Sequence, residues 1–298
     1  MTNRLFIFGL GYSGSEIARQ ARAAGWRVAG TVRGGDKAQQ LAAEGIETHL
    51  FDGSAALPAS AFGETTHVLC TIAPGSTGDP VLRVCAPLLR QARWRGYLST
   101  TGVYGDHAGG WVDETTPTNP GQPRSIERLA SERAWQAIGA TLFRLPGIYG
   151  PGRSAIDQVK AGSARRIDKP GQVFSRIHVE DIAATVLAAI AHPAACPGAR
   201  PATRPATRPA PGAIYNVADD LPAPTADVIA YACELLAVPV PPLVPWAEIA
   251  PTMSAMARSF YAENRRVRND RIKRELGVTL RYPTYREGLA AILGARSS

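Results

Sequence analysis

Leu5-Phe6-Ile7-Phe8-Gly9-Leu10-Gly11-Tyr12-Ser13-Gly14 decides how the rest of this 298-residue chain is read. Four apolar residues ending at glycine have the length and flanks of a strand buried on both faces. Residues 15–24 are rich in alanine, set Ile17, Ala21 and Ala24 at helical spacing, and close at Gly25. A G-x-G-x-x-G run between strand and helix is the context of a dinucleotide-binding turn. In such a turn Gly9 permits the tight bend, Gly11 lets the backbone approach a pyrophosphate, and Gly14 lets the helix pack close to the strand. Tyr12 and Ser13 lie inside the same turn, where the free N–H groups of the helix start attract phosphate charge.

Working outward, strands over residues 26–32, 46–51, 66–72, 97–100 and 141–145 alternate with helices over 36–44, 81–93 and 125–138. Asp36 can cap the second helix and Gly45 end it. Pro87 kinks or restarts the third. Such alternation implies βαβ units and a parallel sheet with right-handed crossovers. The fold class is therefore α/β: a Rossmann-type doubly wound parallel sheet with a smaller C-terminal substrate lobe. Residues 1–192 form the nucleotide-binding domain, with a core over 1–150 and a closing helix near 179–191. Residues 213–298 form the lobe, with a strand at 214–217 and helices at 225–236, 268–276 and 285–293. Between them, 193–212 is a proline-rich insertion. Pro-Ala-Thr-Arg occurs there twice in tandem, at 201–208. That composition favours extended polyproline conformations over a core, so 194–212 is read as an exposed, mobile segment.

Composition narrows the function. Hydrophobic residues make up 45% of the chain, enough for a sizeable core. The longest apolar run, 182–191, is half of what a bilayer span needs, so no membrane partner is expected. The N-terminus has no signal-peptide pattern, which makes the cytoplasm the expected location. Cysteines at 70, 85, 196 and 233 form no C-x-x-C pair, so reduced thiols are expected and no metal site. The net charge of +8 comes from 33 basic and 25 acidic residues, and only 4 of the basic ones are lysine. Residues 258–298 hold ten Arg or Lys against four acids, so most of the excess sits in this tail. No helix-turn-helix, finger or RNA-binding signature accompanies it. A solvated surface is the expectation, not a nucleic-acid partner.

The end of the second strand bears on which dinucleotide binds. A site for NAD carries Asp or Glu about 20 residues past the glycines, accepting from the ribose hydroxyls. Here Thr31-Val32-Arg33 stands in that place, and the first acid is Asp36. Arg33 can pair with a 2′-phosphate that a carboxylate would repel, so NADP(H) is preferred over NAD(H).

Four motifs then follow one another: Gly-Leu-Gly-Tyr-Ser-Gly at 9–14, Leu-Ser-Thr-Thr-Gly-Val-Tyr-Gly at 98–105, Phe-Arg-Leu-Pro-Gly-Ile-Tyr-Gly-Pro-Gly-Arg at 143–153 and Arg-Ile-His-Val-Glu-Asp-Ile-Ala at 176–183. In this order they resemble an extended short-chain dehydrogenase/reductase of the NAD-dependent epimerase/dehydratase group, over most of the chain. The resemblance implies that Thr100 is the hydroxyl that holds a substrate carbonyl or hydroxyl beside the nicotinamide. It puts Pro146 and Ile148 along the nicotinamide end, Asp52 near the adenine, and Thr71 and Ala73 beside the pyrophosphate and ribose. His178 and Asp181 start a helix near the substrate lobe, where capping and packing account for them equally well. Family members are often dimers, so the resemblance admits a homodimer.

The chain departs from the family at its proton-transfer pair, a Tyr and a Lys one helical turn apart. The matching helix reads Arg124-Ser-Ile-Glu-Arg128-Leu-Ala-Ser-Glu132, so Arg124 takes the tyrosine's place and Arg128 the lysine's. Arg128 can still hold ribose hydroxyls. Arg124 cannot be the general acid, because a guanidinium keeps its proton. By motif, Tyr104 is the nearest phenol, and packing at a strand end would explain it as well. Two cations beside a nicotinamide suit an anionic substrate. Two readings follow: an NADP(H)-dependent oxidoreductase or epimerase-like enzyme for a small anionic or sugar-like substrate, or a catalytically silent NADP(H)-binding redox sensor or scaffold.

Overall fold

In the computed structural model, which describes residues 3–192 and 212–294, the apolar run forms β1 (Arg4–Phe8), buried at all five positions. It is followed by β2 (Arg27–Val32), β3 (Glu47–Leu50), β4 (His67–Cys70), β5 (Trp94–Thr100) and β6 (Thr141–Leu145). Two short strands, β7 (Gly147–Tyr149) and β8 (Arg176–His178), pair in parallel, and β9 (Ile214–Asn216) follows them. Seven strands make one parallel sheet in the order β9-β6-β5-β4-β1-β2-β3. The order reverses between β1 and β4, and an open α/β sheet offers a crevice at that point, beyond the carboxyl ends of its strands.

Helices α1 (Tyr12–Ala23), α2 (Gly35–Ala43), α3 (Pro80–Leu89), α4 (Pro123–Ala137), α5 (Ala155–Lys160), α6 (Val179–Ala191), α7 (Thr225–Leu235), α8 (Ala255–Ser259), α9 (Asp270–Leu276) and α10 (Tyr285–Gly294) complete the frame. On one face of the sheet, Ile17, Ala18 and Ala21 of α1 share a core with Ile182, Ala183 and Val186 of α6. The alanines let these helices approach closely. On the other face, Val81, Cys85 and Leu89 of α3 and Trp135 of α4 pack on Phe6, Phe8 and Tyr97. The rings of Tyr97 and Trp135 stack at 5.6 Å. Asp79 joins these parts: Oδ1 caps α3 by accepting from the N–H groups of Val81 and Leu82, and Oδ2 accepts from Trp135 Nε1 at 2.9 Å.

Several expected boundaries move. The helix expected over 81–93 runs on through Pro87 and stops at Leu89. β5 starts at Trp94, three residues before the expected start, because Arg95 and Gly96 break the apolar pattern that marks a strand. The stretch assigned to the lobe at 214–217 instead supplies β9, the edge strand of the main sheet, paired with β6. The lobe draws on both sides of the proposed boundary. Tyr149 and Ile156 from before it share a core with Ile229, Tyr285 and Leu289 from after it. Residues 193–211, with the repeat at 201–208 and Cys196, lie outside the described residues. Cys70, Cys85 and Cys233 are buried free thiols. Among the described residues no helix is long and apolar enough to cross a membrane.

Asp219, just after β9, is buried. Its Oδ1 accepts weakly from the Leu221 N–H at 3.3 Å, and its Oδ2 has no protein partner. Burial pushes its carboxyl up to about 8. From about pH 4 to 8 the unfolded chain therefore carries a charge that the folded chain resists, and stability falls as pH rises. Asp219→Asn removes this titration while keeping the acceptor for Leu221. The variant's melting temperature relative to the parent should rise from pH 5 to pH 8. Scanning calorimetry showing a pH-independent difference would overturn the assignment.

Candidate functional site

The glycine turn is clamped by side chains from β2, from just past β4 and from α1. Gly9 follows β1 at φ +95°, and its N–H donates to Thr31 Oγ1 of β2 at 2.8 Å. Its carbonyl accepts from Thr71 Oγ1, just past β4, at 2.6 Å. Leu10 N–H donates to Thr31 O, and Ser15 Oγ donates back to Leu10 O. A Cβ on Gly14 would stand 2.1 Å from Gly9 O, so only glycine lets α1 start this close to the turn. A Cβ on Gly11 would meet nothing within 4 Å. Gly11 is exposed and caps α1 with no side-chain partner. The turn thus presents open backbone at a helix N-terminus, as a pyrophosphate requires. Tyr12 begins α1, and its hydroxyl donates to Pro151 O at 3.1 Å. Ser13 follows it, half-buried.

The other cofactor candidates border the same crevice. Arg33 is exposed between β2 and Gly34, the residue preceding α2. Asp52, just past β3, is exposed and accepts from the N–H and hydroxyl of Ser54, which hold its carboxyl below the ordinary value. Thr71 is committed to the glycine turn, so its contribution is to shape the turn. Ala73, Pro146 and Ile148 line a cleft of about 770 Å³ that opens between the sheet and the lobe.

Thr100, Arg124 and Arg128 line this cleft too, so the structure brings six of the sequence candidates onto one cavity. Thr100 ends β5, and its Oγ1 accepts from Gly102 N–H at 3.1 Å. Its own proton is left to donate. Arg128 Nη1 donates to Tyr97 Oη at 3.0 Å and Leu98 O at 3.2 Å, and reaches Ile72 O at 3.5 Å. Arg124, one helical turn earlier, lies over the Phe260 ring at 4.2 Å and donates to Ser259 Oγ at 3.0 Å, both on the opposite wall. The structure does not bring Tyr104 to the cleft. Its side chain is fully buried, its hydroxyl donates to Asn216 Oδ1 at 2.8 Å, and Arg144 lies over its ring. Burial also raises its pKa.

His178 and Asp181 take structural positions. His178 caps α6 through Nδ1, which accepts from Glu180 N–H at 3.3 Å, and burial lowers its pKa to about 4. Asp181 accepts from the backbone N–H groups of Arg281 and Tyr282 and so ties the chain beyond α9 to α6. Three further arginines of the cleft wall, Arg153, Arg176 and Arg265, have no role legible in an arginine-rich sequence, although the first two stand within motifs. Only the fold separates them from the surface. Ser125 was missed as well. It is buried on α4, with its hydroxyl 2.6 Å from where a Cβ on Gly102 would stand.

Residues 81–218 match the family model of the NAD dependent epimerase/dehydratase family. A functionally unknown conserved protein from Silicibacter pomeroyi DSS is 47% identical, with complete coverage of both chains and a TM-score of 0.86. Protein YeeZ of Escherichia coli K12 is 26% identical over 209 residues, which is 64% of this chain and 74% of that protein. The fold is shared with the dTDP-glucose 4,6-dehydratase of Bacillus anthracis, solved in complex with NAD. That match has a TM-score of 0.74 at 14% identity, covering 99% of this chain and 97% of the other.

The two glycines make opposite predictions. Alanine at position 14 gains about 1 kcal/mol of helix propensity. Pressing its Cβ onto a backbone oxygen costs more, about 1–3 kcal/mol. Gly14→Ala should therefore lower the melting temperature by about 5 °C. Gly11→Ala should cost under about 1 kcal/mol, the scale of an unfavourable N-cap. Thermal melts giving the reverse order would contradict the packing described.

Proposed function

We propose that this chain, whose residues 81–218 match the model of the NAD dependent epimerase/dehydratase family, is an NADP(H)-dependent oxidoreductase or epimerase-like enzyme acting on a small anionic or sugar-like substrate. The observation that carries this reading is the cleft of about 770 Å³ on which Thr100, Arg128, Pro146 and Ile148 meet. That volume suits a small molecule held next to a cofactor. The open backbone at Gly11 fits a dinucleotide pyrophosphate.

In this reading Gly9, Gly11, Tyr12, Ser13 and Gly14 hold the pyrophosphate and Arg33 the 2′-phosphate. Asp52 stands by the adenine, and Pro146 and Ile148 flank the nicotinamide. When bound, the nicotinamide supplies or accepts a hydride. Thr100 donates its free hydroxyl proton to the substrate oxygen and so fixes its distance from the cofactor. Arg128, held by Tyr97, Leu98 and Ile72, keeps further N–H groups for ribose hydroxyls. With Arg124 unable to release a proton and Tyr104 sealed in the core, the proton comes from water in the cleft. Arg124 adds charge that suits an anionic substrate.

A second reading, a catalytically silent NADP(H)-binding sensor or scaffold, is favoured by one feature. The cation at the tyrosine's position is engaged by Phe260 and Ser259 across the cleft.

Calorimetric titration should give NADPH an affinity about tenfold or more above NADH, falling to parity in Arg33→Ala. Equal affinities in both proteins would sink the NADP(H) assignment. A panel of aldehydes, ketones and nucleotide sugars then separates the two readings. Turnover that falls about a hundredfold in Thr100→Ala supports the enzyme. NADPH binding that raises the melting temperature with no turnover supports the sensor.

A further inference from the structure

Arg176 is the cation that the lobe encloses. It stands at the start of β8, in register with Gly147 of β7, between the two nicotinamide-end residues Pro146 and Ile148. Its Cγ lies 3.8 Å from where a Cβ on Gly147 would be. Nη1 donates to Phe174 O and Ala223 O, both at 2.8 Å, which anchors one edge of the guanidinium on a two-residue β-bridge. The side chain forms no ion pair among the described residues and lines the cleft. Desolvation lowers its pKa from the ordinary value. Asp219 is the acid acting on it most, yet it forms no ion pair with it. A guanidinium held this way has N–H groups to spare and no carboxylate bonded to it, and such burial is costly. The cleft wall shared with Arg176 includes apolar and aromatic residues, among them Tyr149, Val228, Ile229, Tyr261, Tyr285 and Leu289. Burial raises all three of these phenols, so none of them is an anion at neutral pH.

We propose that Arg176 is the receptor for the substrate's anionic group, and that the substrate is a compact carboxylate with an aromatic or aliphatic body. The fork of a guanidinium matches a carboxylate in two hydrogen bonds. Val228, Ile229 and Leu289 of the same wall give that body apolar contact. Because Arg176 abuts Pro146–Ile148, the anionic group and the reacting carbon belong to one short molecule. This assignment rests on the reading of the cleft as a substrate site.

The test is calorimetric binding to the full-length protein with NADPH present. The probes are 3-phenylpropionate and 4-hydroxybenzoate, each beside its methyl ester, and UDP-glucose. The acids should bind more tightly than their esters by about thirtyfold, and more tightly than UDP-glucose. In Arg176→Met that preference for acid over ester should disappear while NADPH affinity is unchanged. Arg176→Lys, which keeps the charge but not the fork, should retain an intermediate preference. A merely structural role would weaken acid and ester alike and leave their ratio intact. An unchanged ratio, equal binding of acid and ester to the parent, or no binding of either acid would overturn the proposal. Loss of NADPH binding in the parent would instead count against the cofactor reading, so the two failures are distinguishable.

Discussion

The contact between Gly14 and the carbonyl of Gly9 is the constraint on which the nucleotide end of the molecule depends. Two backbones meet where a single methyl group would not fit. That closeness sets the start of α1 directly over the end of β1. The same carbonyl takes the hydroxyl of Thr71, and the same residue's N–H goes to Thr31. One residue therefore ties together β1, β2 and β4, the strands around the point where the sheet order reverses. The crevice, the exposed N-terminus of α1 and the end of β4 are consequences of one tightly held turn.

The cleft end depends on a different device. Glu132 of α4 accepts from Arg144 of β6 in two hydrogen bonds, at 3.0 and 2.8 Å, with both side chains almost fully buried. Such a pair adds little net stability, because desolvation offsets its attraction, but losing one partner strands a charge in the core. What it supplies is register. Glu132 lies one turn past Arg128 and two past Arg124, so pinning it fixes where those two arginines face. Arg144 also covers the ring of Tyr104. The interaction that holds the helix in place therefore closes off the phenol that the motif had suggested as a proton source.

Charge in this protein divides by surroundings. In the C-terminal tail, Arg271 pairs with Glu275 at a half-buried site, and Lys273 pairs with Asp220 and Arg281 with Glu180 at more exposed ones. Such exposed pairs contribute little to stability. The cleft arginines are different. Arg265 is offset by Glu263, while Arg124 rests on an aromatic face and a hydroxyl and Arg176 on backbone carbonyls. Few acids oppose them, and the low polarity around Arg176 makes its field count for more than the same charge in water.

Much of the nucleotide end was legible from residue order, since a strand, a glycine turn and a helix are written in adjacent residues. Gly9, Gly11 and Gly14 could be given separate tasks from spacing alone. The helix register that puts Arg124 and Arg128 in place of Tyr and Lys was equally local. Where sequence reading slipped, the deciding contact was remote. β9 joins the sheet by pairing with β6 some 70 residues earlier. Tyr104 is sealed by Asn216, and Arg124 meets Phe260 across the cleft. Arg176 stands within a motif that gives it no task, because its place on the cleft wall with no paired carboxylate arises only when β7, β8 and the lobe helices close around it. Periodicity and turn chemistry act over a few residues and can be read along the chain. Whether a charge is solvated, paired or left facing a cavity depends on what folds against it, and that was decided by the tertiary structure.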